Sequence, residues 1–270
     1  MDQTQLMTNQ FSNQKTNTQK YSLAEMRLKQ DNPYRKIVRN AIPMSKGLKK
    51  FLKDSKNKKK DQEKLVEKKD LLTLFKKTCV NFYGPEKNFI VDDENKEVIL
   101  ELLAYFSRSD KFGKLVRNKS SLEKGILLFG PCGLGKSDLF EIFRRMGKFL
   151  ASYGYMQMFF KSYTAKDLVN NKVELSKKAN ERPVGFAKAD IERGNIYIDD
   201  VGTEPKFFAQ EVIADVIQQR YIKSKQKPQK TFITSNNKPS ELGDRYGKQV
   251  DDRLREMFNI IKWEGSSRRE

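Results

Sequence analysis

The chain has 270 residues, with 54 Lys and Arg against 35 Asp and Glu for a formal net charge of +19, two cysteines and no histidine. That composition excludes a disulfide framework, a zinc cluster of histidine and cysteine, and any acid–base chemistry that depends on imidazole. The polar start Met1-Asp2-Gln3-Thr4-Gln5 and the lack of any run of about eighteen apolar residues argue against a secretory leader and a membrane span, so a cytoplasmic location is expected.

The positive charge is unevenly spread. Residues 1–80 carry 20 Lys and Arg against 8 Asp and Glu, an excess of 12 out of the total of 19. Such a basic arm favours phosphate-rich partners, with nucleic acid ahead of an anionic membrane because no acylation signal or long apolar run accompanies it. A solvated lysine-rich tail is the alternative. Residues 1–20, rich in Gln, Asn and Thr, are expected to be disordered. Weak helical periodicity over 21–40 breaks at Pro33, and 42–60 sets Leu48, Phe51 and Leu52 among eight lysines, the pattern of a basic helix. The stretch 65–75 is again amphipathic. The boundary is placed near Lys69, giving an arm over 1–68 and a compact domain over 69–270.

From Asn81 onward strand and helix signals alternate. The expected order is a helix over 95–106, a polar loop, an apolar strand Gly125-Ile126-Leu127-Leu128-Phe129 and a helix reaching about Tyr153. A strand over 156–161, helices over 165–180, a strand at 195–198, a helix over 208–223, a strand over 231–234 and a helix over 247–257 follow. That order predicts a three-layer α/β sandwich with a mainly parallel sheet.

Between the strand at 125–129 and the next helix stands Gly130-Pro131-Cys132-Gly133-Leu134-Gly135-Lys136-Ser137-Asp138, a P-loop in its required context. Glycines let backbone N–H groups curl around phosphate oxygens, and the helix N-terminus adds positive potential. Lys136 can reach the β- and γ-phosphates, and the Ser137 hydroxyl can bind Mg²⁺. The pattern implies a nucleoside triphosphate, with ATP the first expectation. Cys132 reads as a small variable residue of the loop, or as a redox-sensitive thiol; Cys79 reads as core.

Asn195-Ile196-Tyr197-Ile198-Asp199-Asp200 places two carboxylates directly after an apolar strand. In an open parallel sheet they would meet the P-loop at the carboxyl edge, Asp199 holding Mg²⁺ and Asp200 polarising the attacking water. Glu204 is the next candidate base. The strand Thr231-Phe232-Ile233-Thr234 ends in Ser235-Asn236-Asn237, where the Asn236 amide can hold the water or a γ-phosphate oxygen; a cap before Pro239 is the plainer reading.

Taken together, the P-loop, Asp199-Asp200-Val201-Gly202-Thr203-Glu204, Thr234-Ser235-Asn236 and the run from Asp252-Arg253-Leu254-Arg255-Glu256-Met257 to Ser266-Ser267-Arg268-Arg269 resemble the DnaC/IstB group of AAA+ ATPases, over about residues 80–270 and in that family's order. The resemblance implies an ASCE-type P-loop core without a full helical lid, assembling head to tail into a ring or spiral. Arg253 matches the family's trans-acting arginine finger, with Arg255 and Arg245 as fallbacks, and Arg269 matches a terminal arginine that senses phosphate. A surface arginine paired with Asp252 or Glu256 is the other reading of Arg253. It also implies a helicase-loader role on single-stranded DNA with a ring helicase as partner. The alternatives are a transposition helper that recruits a transposase, and a nucleotide-gated DNA-binding adaptor that scarcely turns over. In initiator-type relatives of the superfamily, the stretch before the paired acids lines a DNA track. Here it contains Lys166, Asn170, Lys172, Lys177 and Lys178, with Tyr163 and Phe186 as stacking candidates or, equally, as core aromatics of an amphipathic helix.

Overall fold

A computed structural model describes residues 65–177, 191–207 and 211–269, with the backbone alone for 173–177. The readings placed on residues 1–64, Lys178 and Phe186 lie outside the described residues, as does the side chain of Lys177.

Helix α1 (Lys68–Cys79) buries Leu71, Leu74, Phe75 and Cys79 at helical spacing. Helix α2 (Asp93–Phe106) starts two residues before the expected position because Asp92 forms a capping box. Its carboxylate accepts the N–H groups of Glu94 and Asn95, and the Asn95 side chain accepts the Asp92 N–H. Strand β1 (Gly125–Phe129) is buried throughout, as a central strand of a parallel sheet covered on both faces must be. It feeds through the P-loop into α3 (Lys136–Ala151). Then come β2 (Lys161–Thr164), α4 (Ala165–Lys177), β3 (Ile196–Asp199), α5 (Val212–Gln226), β4 (Thr231–Ser235), α6 (Pro239–Tyr246), α7 (Lys248–Met257) and β5 (Phe258–Lys262).

The five strands lie in the order β2-β3-β4-β1-β5, and every neighbouring pair is parallel. Strand β4 therefore stands between the P-loop strand β1 and the acid-bearing strand β3, the strand order expected of the ASCE-type core that the sequence resemblance implies. In register, Phe129 faces Ser235 and Thr164 faces Asp199, so the P-loop, Asp200 and Asn236 emerge together at the carboxyl edge.

Side-chain alternation divides the core in two. Ile196, Ile198 and Ile233 face α4 to α7 through Leu168, Ile213, Ile217, Leu242 and Leu254. Tyr197 and Phe232 face the other way, where Phe140 of α3 stacks on Tyr197 at 4.5 Å between ring centroids and Phe106 of α2 meets Phe232 edge-on at 5.6 Å. Helices thus cover both faces.

Four elements depart from the sequence expectation. Strand β5 has no counterpart in the expected order. It follows α7 with no intervening turn, and five residues are too few for a periodic signal beside the strong helix before them. The last expected helix is preceded by α6, with Gly247 at φ 93° making the corner between them. Strand β2 lies at Lys161–Thr164 rather than 156–161; the apolar residues Met158 and Phe160 that suggest a strand are buried just before it. Helix α5 begins at Val212 after its N-cap Glu211, and residues 208–210 of the expected helix lie outside the described residues. Beyond β5 the described segment 263–269 contains no helix, and no helix among the described residues is long and apolar enough to cross a membrane.

Candidate nucleotide-binding site

A cleft of about 520 Å³ opens at the carboxyl edge of the sheet, lined by P-loop residues Cys132, Gly133, Gly135, Lys136, Ser137 and Asp138 together with Asp200, Asn236 and Arg269. That volume suits a nucleotide-sized ligand. Gly133 and Gly135 hold φ of 87° and 88°, a left-handed backbone that favours glycine, so the loop curls and its N–H groups turn toward the helix start.

Lys136 Nζ donates to the carbonyls of Gly130 at 2.8 Å and Pro131 at 2.7 Å, and to Asn236 Oδ1 at 2.8 Å. The three donors of the ammonium are therefore fully used, and the bond to Asn236 ties the end of β4 to the P-loop. Burial pulls the Lys136 ammonium below its ordinary pKa, with the charges of Asp200 and Asp199 acting against that shift.

The two acids occupy different environments. Asp199 Oδ1 accepts from Ser137 Oγ at 2.9 Å, Tyr197 OH at 2.6 Å, the Asp200 N–H at 3.1 Å and Thr234 Oγ1. These donors pin it beside the P-loop hydroxyl. Asp200 sits at φ 54°, a left-handed turn that Asp tolerates better than most residues. Strand alternation would send adjacent side chains to opposite faces; this turn lets both carboxylates face the P-loop. Burial raises the Asp200 carboxyl above the usual carboxylate range, and the neighbouring charge of Asp199 adds to it, while Lys136 and Arg269 pull it down.

Ser137 and Asp199 fit a magnesium ion. The Ser137 hydroxyl and the Asp199 carboxylate lie side by side at the start of α3, and no cluster of three or more acidic, cysteine or histidine ligands exists among the described residues. Mg²⁺ is characteristically held by one or two protein oxygens plus substrate phosphates rather than by an all-protein cage. When bound it would neutralise charge on the β- and γ-phosphate oxygens.

The segment after β5 straps the P-loop. Trp263 is buried, its backbone N–H donates to Phe129 O at 2.8 Å and its indole N–H to Glu94 O at 3.1 Å. Arg268 then donates its backbone N–H to Gly133 O at 3.0 Å and its guanidinium to Asp92 Oδ1 at 2.6 Å. Arg269 lines the cleft, where its charge acts on both Lys136 and Asp200. Across the mouth, Tyr83 OH donates to Asp138 Oδ2 at 2.9 Å, and Phe89 and Ile90 complete the wall. Sequence reasoning gave no role to Arg268, although it stands in the terminal run next to Arg269, and missed Tyr83, Phe89 and Ile90. Those three lie in segments without regular periodicity, and no local pattern marks them as neighbours of the P-loop.

Other expected residues lie elsewhere. Arg253 stands on α7 outside this cleft, beside Tyr221 and Glu256. Arg255 is exposed and pairs with Asp251 at 3.0 Å. Arg245, a fallback finger, is committed within its own subunit: it binds the carbonyls of Gly202 and Glu204 and the carboxylates of Glu204 and Glu211, both at 3.1 Å. Glu204, the alternative base, is buried with Arg245, Tyr246 OH and the Gly202 N–H as partners, and it does not line the cleft. Arg245→Met should therefore lower unfolding stability by about 3 kcal/mol, because Glu204 is left as a buried carboxylate without its cation. Urea denaturation of the variant measures this. Of the proposed DNA track, Lys166 and Asn170 are exposed, Lys172 pairs with Asp215 at 3.1 Å, and Tyr163 packs against the core.

A second cleft of about 510 Å³ lies at the opposite, amino-terminal ends of the strands, bounded by Gly125, Asn195 and Thr231. It holds neither the P-loop nor the paired acids.

No family model matches the chain, and no curated protein does. Among solved structures it is similar to the crystal structure of the DnaC helicase loader (17% identity, 70% of this chain and 98% of that one, TM-score 0.46). It is also similar to a putative primosome component from Streptococcus pyogenes (20% identity, 67% and 85%, TM-score 0.42) and to AMPPCP-bound DnaA from Aquifex aeolicus (21% identity, 66% and 49%, TM-score 0.41). The fold assignment rests on the strand order and on the position of the P-loop within it.

Proposed function

We propose that the chain is a DnaC/IstB-like AAA+ ATPase that hydrolyses ATP to ADP and phosphate with Mg²⁺, in a replication role of the helicase-loader type. The observation that carries the ATPase reading is the meeting of Lys136, Ser137, Asp199, Asp200 and Asn236 at one sheet edge, from three strand ends far apart in the chain. In this reading the P-loop and Lys136 grip the phosphates, Ser137 and Asp199 hold the metal, Asp200 accepts the proton of the attacking water and Asn236 orients it. Arg253 completes the site of the next subunit in a head-to-tail ring or spiral, so turnover waits on assembly. Single-stranded DNA templates that assembly, and a ring helicase is the partner; the resemblance of the residue pattern over about 80–270 supports this part of the reading.

The test is ATP turnover of the purified chain with and without single-stranded DNA, followed by identification of the protein that co-purifies with it. Stimulation by DNA together with a replicative helicase bears out the loader reading. A transposase would select the transposition-helper alternative, and binding of ATP without turnover would select the adaptor.

The basic arm should add sequence-independent affinity for nucleic acid that falls steeply as salt rises, because each neutralised phosphate releases a counterion. Deletion of residues 1–64 should flatten the plot of log affinity against log salt, by a slope of about 0.7 for each single-strand phosphate that the arm neutralises. An unchanged slope would assign the DNA binding to the ATPase core alone.

A further inference from the structure

The guanidinium of Arg253 lies 3.9 Å from the centroid of the Tyr221 ring, which belongs to a different helix, α5. Tyr221 OH donates to Glu256 Oε2 at 2.6 Å, while Arg253 Nη1 donates to Glu256 Oε1 at 3.3 Å. Ring, carboxylate and guanidinium thus close a triangle that joins α5 to α7. Lys225 Nζ lies 4.3 Å from the same ring centroid, so two cations lie against one ring, and Glu256 carries the opposite charge beside them. The Arg253 side chain is 23% exposed, and its Nε–H is buried without a hydrogen-bond partner among the described residues. A helix arginine that served only as a surface ion-pair partner for Glu256 would need no aromatic platform from a second helix.

We infer that Tyr221 is a positioning residue for Arg253: its ring fixes the plane of the guanidinium at the subunit edge, and the hydroxyl holds Glu256 as a counter-charge that a neighbour's phosphate displaces. This rests on the reading of Arg253 as the trans-acting arginine. An arginine already stacked loses less rotamer freedom on engaging a phosphate than one that is free in solvent. The stack needs the ring, whereas the hydroxyl serves only Glu256. Phenylalanine should therefore substitute for Tyr221 and an aliphatic residue should not.

The experiment uses full-length chains mixed in pairs. The acceptor is Arg253→Ala, with an intact P-loop, and the donors all carry Lys136→Ala and differ only at position 221. The Lys136→Ala donor should restore turnover to the acceptor. Adding Tyr221→Leu to the donor should cut the restored kcat about tenfold at unchanged KM for ATP, because the acceptor's own P-loop is untouched; Tyr221→Phe should leave it within about twofold. Circular dichroism melting checks that each donor is folded, and Tyr221→Met replaces the leucine variant if that one melts early. Equal donation by the leucine or methionine and phenylalanine variants overturns the positioning role. Failure of the Lys136→Ala donor to restore any turnover overturns the reading of Arg253 and this inference with it.

Discussion

Lys136→Ala is expected to abolish ATP binding, weakening it at least a hundredfold, whereas Asp200→Asn is expected to bind ATP at near wild-type affinity and lose turnover by about a hundredfold or more. Lys136 is the buried cation of the cleft, held by two P-loop carbonyls and Asn236, and its removal would take away the charge proposed to meet the phosphates and the bridge from the P-loop to β4. Asp200 makes no such bridge. Its carboxyl is raised above the usual range by burial and by Asp199, the direction that makes a carboxylate a better proton acceptor. Asparagine keeps the shape and loses the basicity, so grip and water activation separate. Titration with a fluorescent ATP analogue and a phosphate-release assay measure the two. Wild-type turnover in Asp200→Asn would remove Asp200 from the reaction, and Glu204, buried under Arg245 and Tyr246, is not placed to replace it.

Arg253→Ala should retain ATP binding and lose about a thousandfold in turnover, the scale of an arginine supplied in trans. Arg253 lies on α7, away from the cleft in its own chain, while the site of that chain holds Lys136, Arg269 and Arg268 as its cations, the last paired with Asp92. An isolated subunit would then grip phosphate without the charge neutralisation that cleavage needs. Specific activity should rise with protein concentration, and mixing Arg253→Ala with Lys136→Ala should recover a fraction of it, because one junction in the mixed assembly joins an intact P-loop to an intact Arg253. Concentration-independent turnover with no recovery on mixing would instead describe a self-contained switch.

The P-loop was legible because its chemistry is local: glycines at set spacings permit a left-handed turn, and lysine and serine follow at the helix start. The parallel sheet was legible for a similar reason, since buried apolar runs such as Gly125–Phe129 alternate with helical periods. Asp199 and Asp200 could be read as the end of a strand, and Asn236 as the end of another, once the P-loop had set the edge at which ligands meet the sheet. Tertiary structure alone decided the rest. Bonds such as Lys136 to Asn236, Arg268 to Asp92 and Tyr246 to Glu204 join residues 100, 176 and 42 positions apart, and no periodicity encodes such pairings. Glu204 and Asp200 are both carboxylates just after one strand, yet one is enclosed by packing helices and the other is left at the cleft. That difference arises from burial and from which donors each acid meets, quantities that exist only once α6 has docked on the sheet.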